Sequence, residues 1–228
     1  MDWLYPPVCC SCGRIGKLIC EQCFSSIELT NQLNCIRCGE PISTGGLCVR
    51  CKNQAPHFAK LKSLGYYSGP LRDAVISLKY QRNIGLGDFF SSPLSDIVLK
   101  EKWKIELITA IPLNSKRKRE RGYNQAEILA RPIARRLYIP FSSQLVQRVK
   151  STTSQVGLNL KQRRLNMKDA FEGNPELVKN KTILVVDDVA TTGATLDACA
   201  KALKEAGCQE VFCLTLAKTI GLQDNIAG

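Results

Sequence analysis

Four Cys-x-x-Cys pairs stand in the first 51 residues: Cys9 with Cys12, Cys20 with Cys23, Cys35 with Cys38 and Cys48 with Cys51. A turn of this kind points two thiolates at one ion, and Zn²⁺ takes four in a tetrahedron, so two turns close one site. Gly13 and Gly39 follow the first and third pairs, which marks two copies of one unit. Sequential pairing gives Cys9, Cys12, Cys20 and Cys23 one structural zinc, and Cys35, Cys38, Cys48 and Cys51 a second. The seven residues between Cys12 and Cys20 and the nine between Cys38 and Cys48 are short beside the ~15–20 of many zinc sites, so a crossed pairing stays open. Cys10 belongs to neither quartet and reads as a bystander. Either the metals only staple a head too small to bury a core, or the ribbons also grip nucleic acid or a partner.

A second constellation is Ile183-Leu184-Val185-Val186-Asp187-Asp188-Val189-Ala190-Thr191-Thr192-Gly193-Ala194-Thr195. Four apolar residues predict a strand buried on both faces, which puts the carboxylate pair at its C-terminal edge, where open α/β sheets bind ligands. Thr191 to Thr195 then lead into a helix, so backbone N–H groups, hydroxyls and the helix dipole converge on one anion. Acidic side chains beside an anion cradle suit a ligand with both vicinal hydroxyls and a phosphate, such as a ribose 5-phosphate.

These thirteen residues resemble the phosphoribosyl pyrophosphate (PRPP) motif of type I phosphoribosyltransferases. The resemblance implies that Asp187 and Asp188 hold the ribose hydroxyls and that Ala190, Thr191, Thr192, Gly193, Ala194 and Thr195 hold the 5-phosphate, with Mg²⁺ accompanying PRPP chiefly on its pyrophosphate.

Upstream, Ile111-Pro112-Leu113 closes a strand ahead of Lys116, Arg117, Lys118, Arg119 and Arg121, five basic residues in six positions. In transferases of this fold such a loop meets pyrophosphate. So dense a run also suits a polyanion across the mouth of the site, with Lys and Arg displacing counterions from single-stranded DNA, although a basic run is commonly a solvated face. Tyr123 either offers a stacking surface for a base or covers the sheet.

The elements that must position these residues follow from pattern. The chain has 228 residues, 44% hydrophobic and 23% charged, with a formal charge of +12; this is globular composition and excludes a disordered or collagenous chain. Eight thiolates and two Zn²⁺ change that charge by minus four, to +8, and it stays basic. One histidine, His57, excludes histidine triads and histidine-rich metal sites. No apolar run approaches the ~20 residues of a membrane span, and Met1 to Tyr5 carry no basic leader, so a cytoplasmic protein with reduced thiols is expected.

The polar stretch from Lys52 to about Ala59 reads as a linker, with a double zinc ribbon over 1–56 and the larger domain over 57–228. Beyond it, strand-like and helix-like segments alternate, predicting an α/β fold with a mostly parallel sheet; the resemblance implies that this sheet is phosphoribosyltransferase-like, with helices on both faces. Strands are expected at Leu64–Tyr67, Ile105–Ile111, Lys181–Val186 and Glu210–Leu216, and helices at Leu71–Tyr80, Gln125–Leu137 and Thr195–Ala206. Cys199, Cys208 and Cys213 fall on these elements without ligand spacing and read as small core residues. Arg148 to Phe171 lacks periodicity and stands where a mobile hood covers the ligand in phosphoribosyltransferases.

Taken with Thr152-x-x-Gln155, Arg121-Gly122-Tyr123-Asn124-Gln125 and Asn166-x-x-x-Ala170-Phe171, the ribbons and the PRPP motif resemble the ComF family of competence proteins over nearly the whole chain. That resemblance implies a part in DNA uptake during natural transformation, on the cytoplasmic side, with PRPP, single-stranded DNA and other DNA-uptake proteins as partners. The alternative is a nucleotide-salvage enzyme that transfers ribose 5-phosphate from PRPP to a nucleobase; whether there is turnover, and onto which acceptor, stays open.

Overall fold

The apolar quartet Ile183–Val186 is wholly buried because it lies in the middle of a sheet. The computed structural model describes residues 6–30, 33–149 and 170–220. In it, β1 (Lys60–Tyr66), β2 (Leu107–Ala110), β5 (Thr182–Ala190) and β6 (Glu210–Lys218) form one sheet in the order β1-β6-β5-β2. Every pairing in it is parallel. Two short strands, β3 (Val146–Arg148) and β4 (Phe171–Gly173), pair antiparallel beside it.

Period-two alternation sorts the strand residues between two cores. Leu184, Val186, Leu214 and Leu216 face α3 (Gly69–Tyr80), α4 (Gly85–Lys100) and α6 (Gln125–Leu137). Ile183, Val185, Val211 and Cys213 face α8 (Ala194–Glu205), which follows the one-turn α7 (Pro175–Val178), and the β3–β4 pair. On α3, Leu71, Ala74, Val75 and Leu78 are buried, the spacing of one helical face. The pattern along α4 does not announce a helix, since Gly85, Gly87 and Pro93 read as breakers. Packing decides instead: a Cβ on Gly87 would lie 2.2 Å from the Ile128 carbonyl, so only glycine lets α4 approach α6.

The head does not stand apart. Cys9, Cys20 and Cys23, with the short α1 (Glu21–Ser25), join the core of the α3/α4/α6 face, whereas Cys35, Cys38, Cys48 and Cys51, with α2 (Val49–Asn53), join the core of the α8 face. Between the ribbons the chain rounds the edge of the sheet, where Tyr66 N–H donates to Glu28 O and Thr30 N–H to Leu64 O. His57, expected in a linker, is tied to α8: its N–H donates to Asp197 Oδ1 at 2.6 Å and its Nδ1 lies 3.0 Å from the same oxygen. Cys199, Cys208 and Cys213 are buried as expected.

Several bounds differ from the sequence pattern. β1 starts at Lys60 rather than Leu64, because Lys60 and Lys62 reach Glu101 at the rim while Leu61 and Leu64 go inward. β2 spans only Leu107–Ala110. β5 continues through both aspartates to Ala190, pairing Asp187 with Thr215 and Ala190 with Lys218. The basic run is not a loop but a helix, α5 (Ser115–Arg121); Arg, Lys and Glu are good helix formers. The segment 150–169, with Thr152, Gln155 and Asn166, lies outside the described residues.

Candidate functional site

Asp187 and Asp188 sit at the C-terminal end of β5, 9% and 4% exposed. Alternation turns Asp188 toward the α3 face, where Lys79 Nζ lies 2.6 Å from its Oδ2. Apart from that ammonium, Oδ2 has no hydrogen-bond partner among the described residues. Burial works against ionisation of Asp188, but Lys79 outweighs it and holds the carboxyl below its ordinary range. For Asp187, burial and then the Asp188 charge push the carboxyl well above its ordinary range, against the pull of the Asp188 N–H, which donates to its Oδ1 at 2.8 Å. Two neighbouring carboxyls pushed in opposite directions titrate as a pair, Asp188 the readier to carry the charge and Asp187 the readier to keep a proton.

Past the strand, Thr191 and Thr192 make the turn into α8. Gly193 adopts φ 78°, where a side chain would be strained, and caps the helix. Thr192 Oγ1 accepts from Ala194 N–H at 3.3 Å. The turn is held from behind: Lys218 Nζ donates to Thr191 O at 3.1 Å and Arg50 Nη1 to Thr192 O at 2.7 Å. No local sequence pattern marks either cation, or Lys79, as part of a site.

Of the basic run, Arg117, Lys118 and Arg119 are exposed on α5, and the side chain of Lys116 lies outside the described residues. Arg121 turns inward, stacks 5.1 Å from the Tyr80 ring centre and donates to Gln125 Oε1 at 2.8 Å; its charge helps keep Asp188 ionised. Arg148 on β3, half-buried, has its pKa lowered by burial and by Arg117 and supported by Asp187. Tyr123 is no free platform: its hydroxyl donates to Leu78 O beside Lys79. Buried Asn124 caps α6 and bonds Ile111 O at 2.9 Å, tying the end of β2 to that helix. Between them a cavity of about 470 Å³ opens beside Pro112, Asn114, Lys118, Asn124, Gln147 and Arg148.

The thiols group sequentially. Within each of Cys9/Cys12/Cys20/Cys23 and Cys35/Cys38/Cys48/Cys51 the sulfurs all lie within 4.8 Å of one another, and the crossed pairing falls. The donor set fits zinc. Burial would raise Cys9, yet N–H groups of Cys12, Cys20 and Ser11 bring it down to about 6; the same contest brings Cys35 to about 7, with N–H groups of Cys38, Cys48 and Arg37. Burial and then its neighbouring thiols push Cys23 up to about 12. Thiolates that are made by N–H donors and then repel the next thiolate call for a divalent cation among them. Cys10 stays outside both sets. The tetrads fit two structural zinc ions.

Comparison with known proteins agrees. Residues 1–52 match the double zinc ribbon domain and residues 124–226 the phosphoribosyl transferase domain. The chain is 32% identical over 209 residues to the DNA utilization protein YhgH of Escherichia coli K12, covering 89% of this chain and 91% of that one. It is 34% identical to competence protein F of Haemophilus influenzae, covering 75% and 78%, and 25% identical to competence protein ComFC of Bacillus subtilis, covering 83% and 79%. An adenine phosphoribosyltransferase from Thermoanaerobacter pseudethanolicus superposes on 60% of this chain and 83% of its own at 18% identity, with a TM-score of 0.39.

Proposed function

The chain belongs to the family of competence protein F and the DNA utilization proteins, and from that premise we propose that it serves DNA uptake on the cytoplasmic side, binding PRPP and single-stranded DNA. The observation that carries the PRPP reading is the buried, oppositely shifted Asp187/Asp188 pair at the strand end just ahead of the Thr191–Thr195 turn, with Lys79, Arg121 and Arg148 around it. The carboxylates take the ribose hydroxyls, the turn and the N-terminus of α8 take the 5-phosphate, and the cations of α3, α5 and β3 take the pyrophosphate with its Mg²⁺. The exposed Arg117, Lys118 and Arg119 of α5, beside this site, supply the contact to the DNA backbone. We place the ribbon pair at 1–56 and the phosphoribosyltransferase-like domain at 57–228. Among the described residues no helix is long and apolar enough to cross a membrane.

Calorimetric titration with Mg²⁺ and PRPP tests the site. The wild type is expected to bind, and folded Asp187→Ala/Asp188→Ala protein to lose binding; equal affinity in that variant removes the assignment. In the cell, a deletion strain should take up DNA to the surface or periplasm yet fail transformation with linear DNA, with nucleobase salvage intact. One observation favours the salvage alternative, the polar cavity by β2, where Asn114 and Gln147 could read a base edge. Conversion of PRPP and a free nucleobase to a nucleotide would decide for it.

A further inference from the structure

The two ribbons carry different side chains at matching places in their repeat, and the difference reaches the phosphate turn. In the first ribbon, Arg14 follows Cys12-Gly13 and Gln22 precedes Cys23; they bond each other at the surface, Nη2 to Oε1 at 3.4 Å. In the second, Glu40 follows Cys38-Gly39 and Arg50 precedes Cys51, and these two turn inward. Arg50, between Cys48 and Cys51, donates to Thr192 O at 2.7 Å while its guanidinium also faces the Cys38 sulfur. Glu40 lies 3.1 Å from Lys218 Nζ, which is 1% exposed and donates to Thr191 O.

Two successive carbonyls of the turn are thus each held by a cation tied to the second ribbon, Arg50 as part of it and Lys218 through Glu40. A turn that presents N–H groups to a phosphate must point carbonyls away from it, and a cation at each carbonyl fixes the peptide plane and polarises the N–H on its far side. A buried lysine is costly unless paired, so its place behind this turn is not a surface accident. Arg suits the bridging task because its planar fork offers donors in two directions at once. We propose that Arg50 and Lys218 are positioning residues for the phosphate turn, and that through them the metal site of the second ribbon, but not of the first, governs the affinity for the 5-phosphate ligand. This rests on the PRPP reading above.

The test uses full-length protein with Co²⁺ in both tetrads, whose thiolate charge-transfer band reports on the ligand sulfurs, titrated with Mg²⁺ and PRPP. Binding to the wild type should shift the band, because coupling between two sites is reciprocal. Arg50→Met should keep two metals per chain, bind PRPP about tenfold more weakly and show no band shift; Gln22→Met, at the matching place of the first ribbon, should behave as wild type. Arg50→Lys restores charge without the fork and should stay near Arg50→Met. Wild-type affinity in Arg50→Met, or full recovery in Arg50→Lys, overturns the proposal. Hydrogen exchange without ligand separates it from the PRPP reading: Arg50→Met should exchange faster at Thr192–Ala194. If the wild type ignores PRPP but this difference appears, the ligand assignment fails and the buttress stands; if the exchange rates match, the buttress fails.

Discussion

One repeat, used twice, does two jobs. Both ribbons bring four thiols within 4.8 Å and both use backbone N–H donors to make their first cysteine acidic. The first lies under α3, joined to it by Ser11 Oγ donating to Asp73 Oδ2 at 2.8 Å, and supports the helix that delivers Lys79 to Asp188. The second lies against the turn itself. Support of the acidic pair is therefore indirect and largely apolar, whereas support of the Thr191–Thr195 turn is direct and made by cations. A metal knuckle can serve either way because its backbone is fixed by the ion, leaving the residue between its cysteines open to whatever the neighbouring face needs.

Losing a metal should produce the largest effects, since structural zinc supplies on the order of 10 kcal/mol in small domains. Cys9→Ser and Cys35→Ser are each expected to lower the zinc content from two ions to one by elemental analysis and to melt well below the wild type. What separates them is ligand response: PRPP should still raise the melting temperature of Cys9→Ser and leave that of Cys35→Ser unmoved. Equal responses would break the comparison.

Next in size is Lys79→Met, which leaves Asp188 buried without its cation and should cost about 3–5 kcal/mol, near 10 °C in melting temperature for a chain of this size. Its pH dependence has a definite sign. Burial would lower Lys79, but Asp188 and Asp187 raise it above 10.5, so its contribution is complete below that value and fades as pH climbs through the raised one. Asp188 falls below 3.8, so its contribution is present above 3.8 and lost as pH drops through the lowered value. In the variant Asp188, left with burial alone, takes up a proton as pH falls, so wild type minus variant should be largest near neutrality and shrink toward both limits in thermal melts at graded pH; a difference that vanishes near neutrality would deny the pair its role.

How much of this was legible follows from range. Cysteine spacing and the Ile183–Thr195 run carry their chemistry within a few residues, so the ligand sets, the strand and the turn could be read directly. Lys79 sits on a helix whose apolar face is plain, where a lysine reads as solvated; only the fold carries it to Asp188. Arg50 and Lys218 reach the turn from 142 and 27 residues away and leave no local trace. The helix over Ser115–Arg121 was obscured by its charge, which suggested a loop although the residue types favour a helix. That the ribbons join both cores of the sheet was hidden because the stretch after Lys52 looks like a linker and because His57 meets Asp197 only in three dimensions.

Asp187→Asn should have a smaller effect of the opposite sign. With its folded pKa raised by burial and Asp188, Asp187 costs stability increasingly as pH rises from 3.8 toward the raised value, because the unfolded chain releases a proton that the folded one keeps. The amide removes that cost, and a gain of about 1 kcal/mol, some 2–4 °C at neutral pH, is expected together with loss of PRPP binding. It sharpens the contrast with Lys79→Met, because both change one charge in the same cluster yet should move stability in opposite directions. A destabilised Asp187→Asn would mean that its carboxylate is a structural hub like Asp188.

The smallest stability change is expected where the charge is densest. Replacing Arg117, Lys118 and Arg119 by Ala on α5, where all three are exposed, should leave the melting temperature nearly unchanged, since surface substitutions usually stay within about 0.5 kcal/mol. Zinc content should also hold. Single-stranded DNA binding is the readout that responds: each phosphate neutralised contributes about 0.7 to the slope of log K against log salt, so three lost contacts should flatten it by roughly 2. Because these contacts are to the backbone, the loss should be the same on sequences of different composition. A variant that keeps both affinity and slope would move the DNA off α5 and onto the ribbons. The first would then be the candidate surface, since its Arg14 and Lys17 face solvent while Arg50 of the second is committed to Thr192.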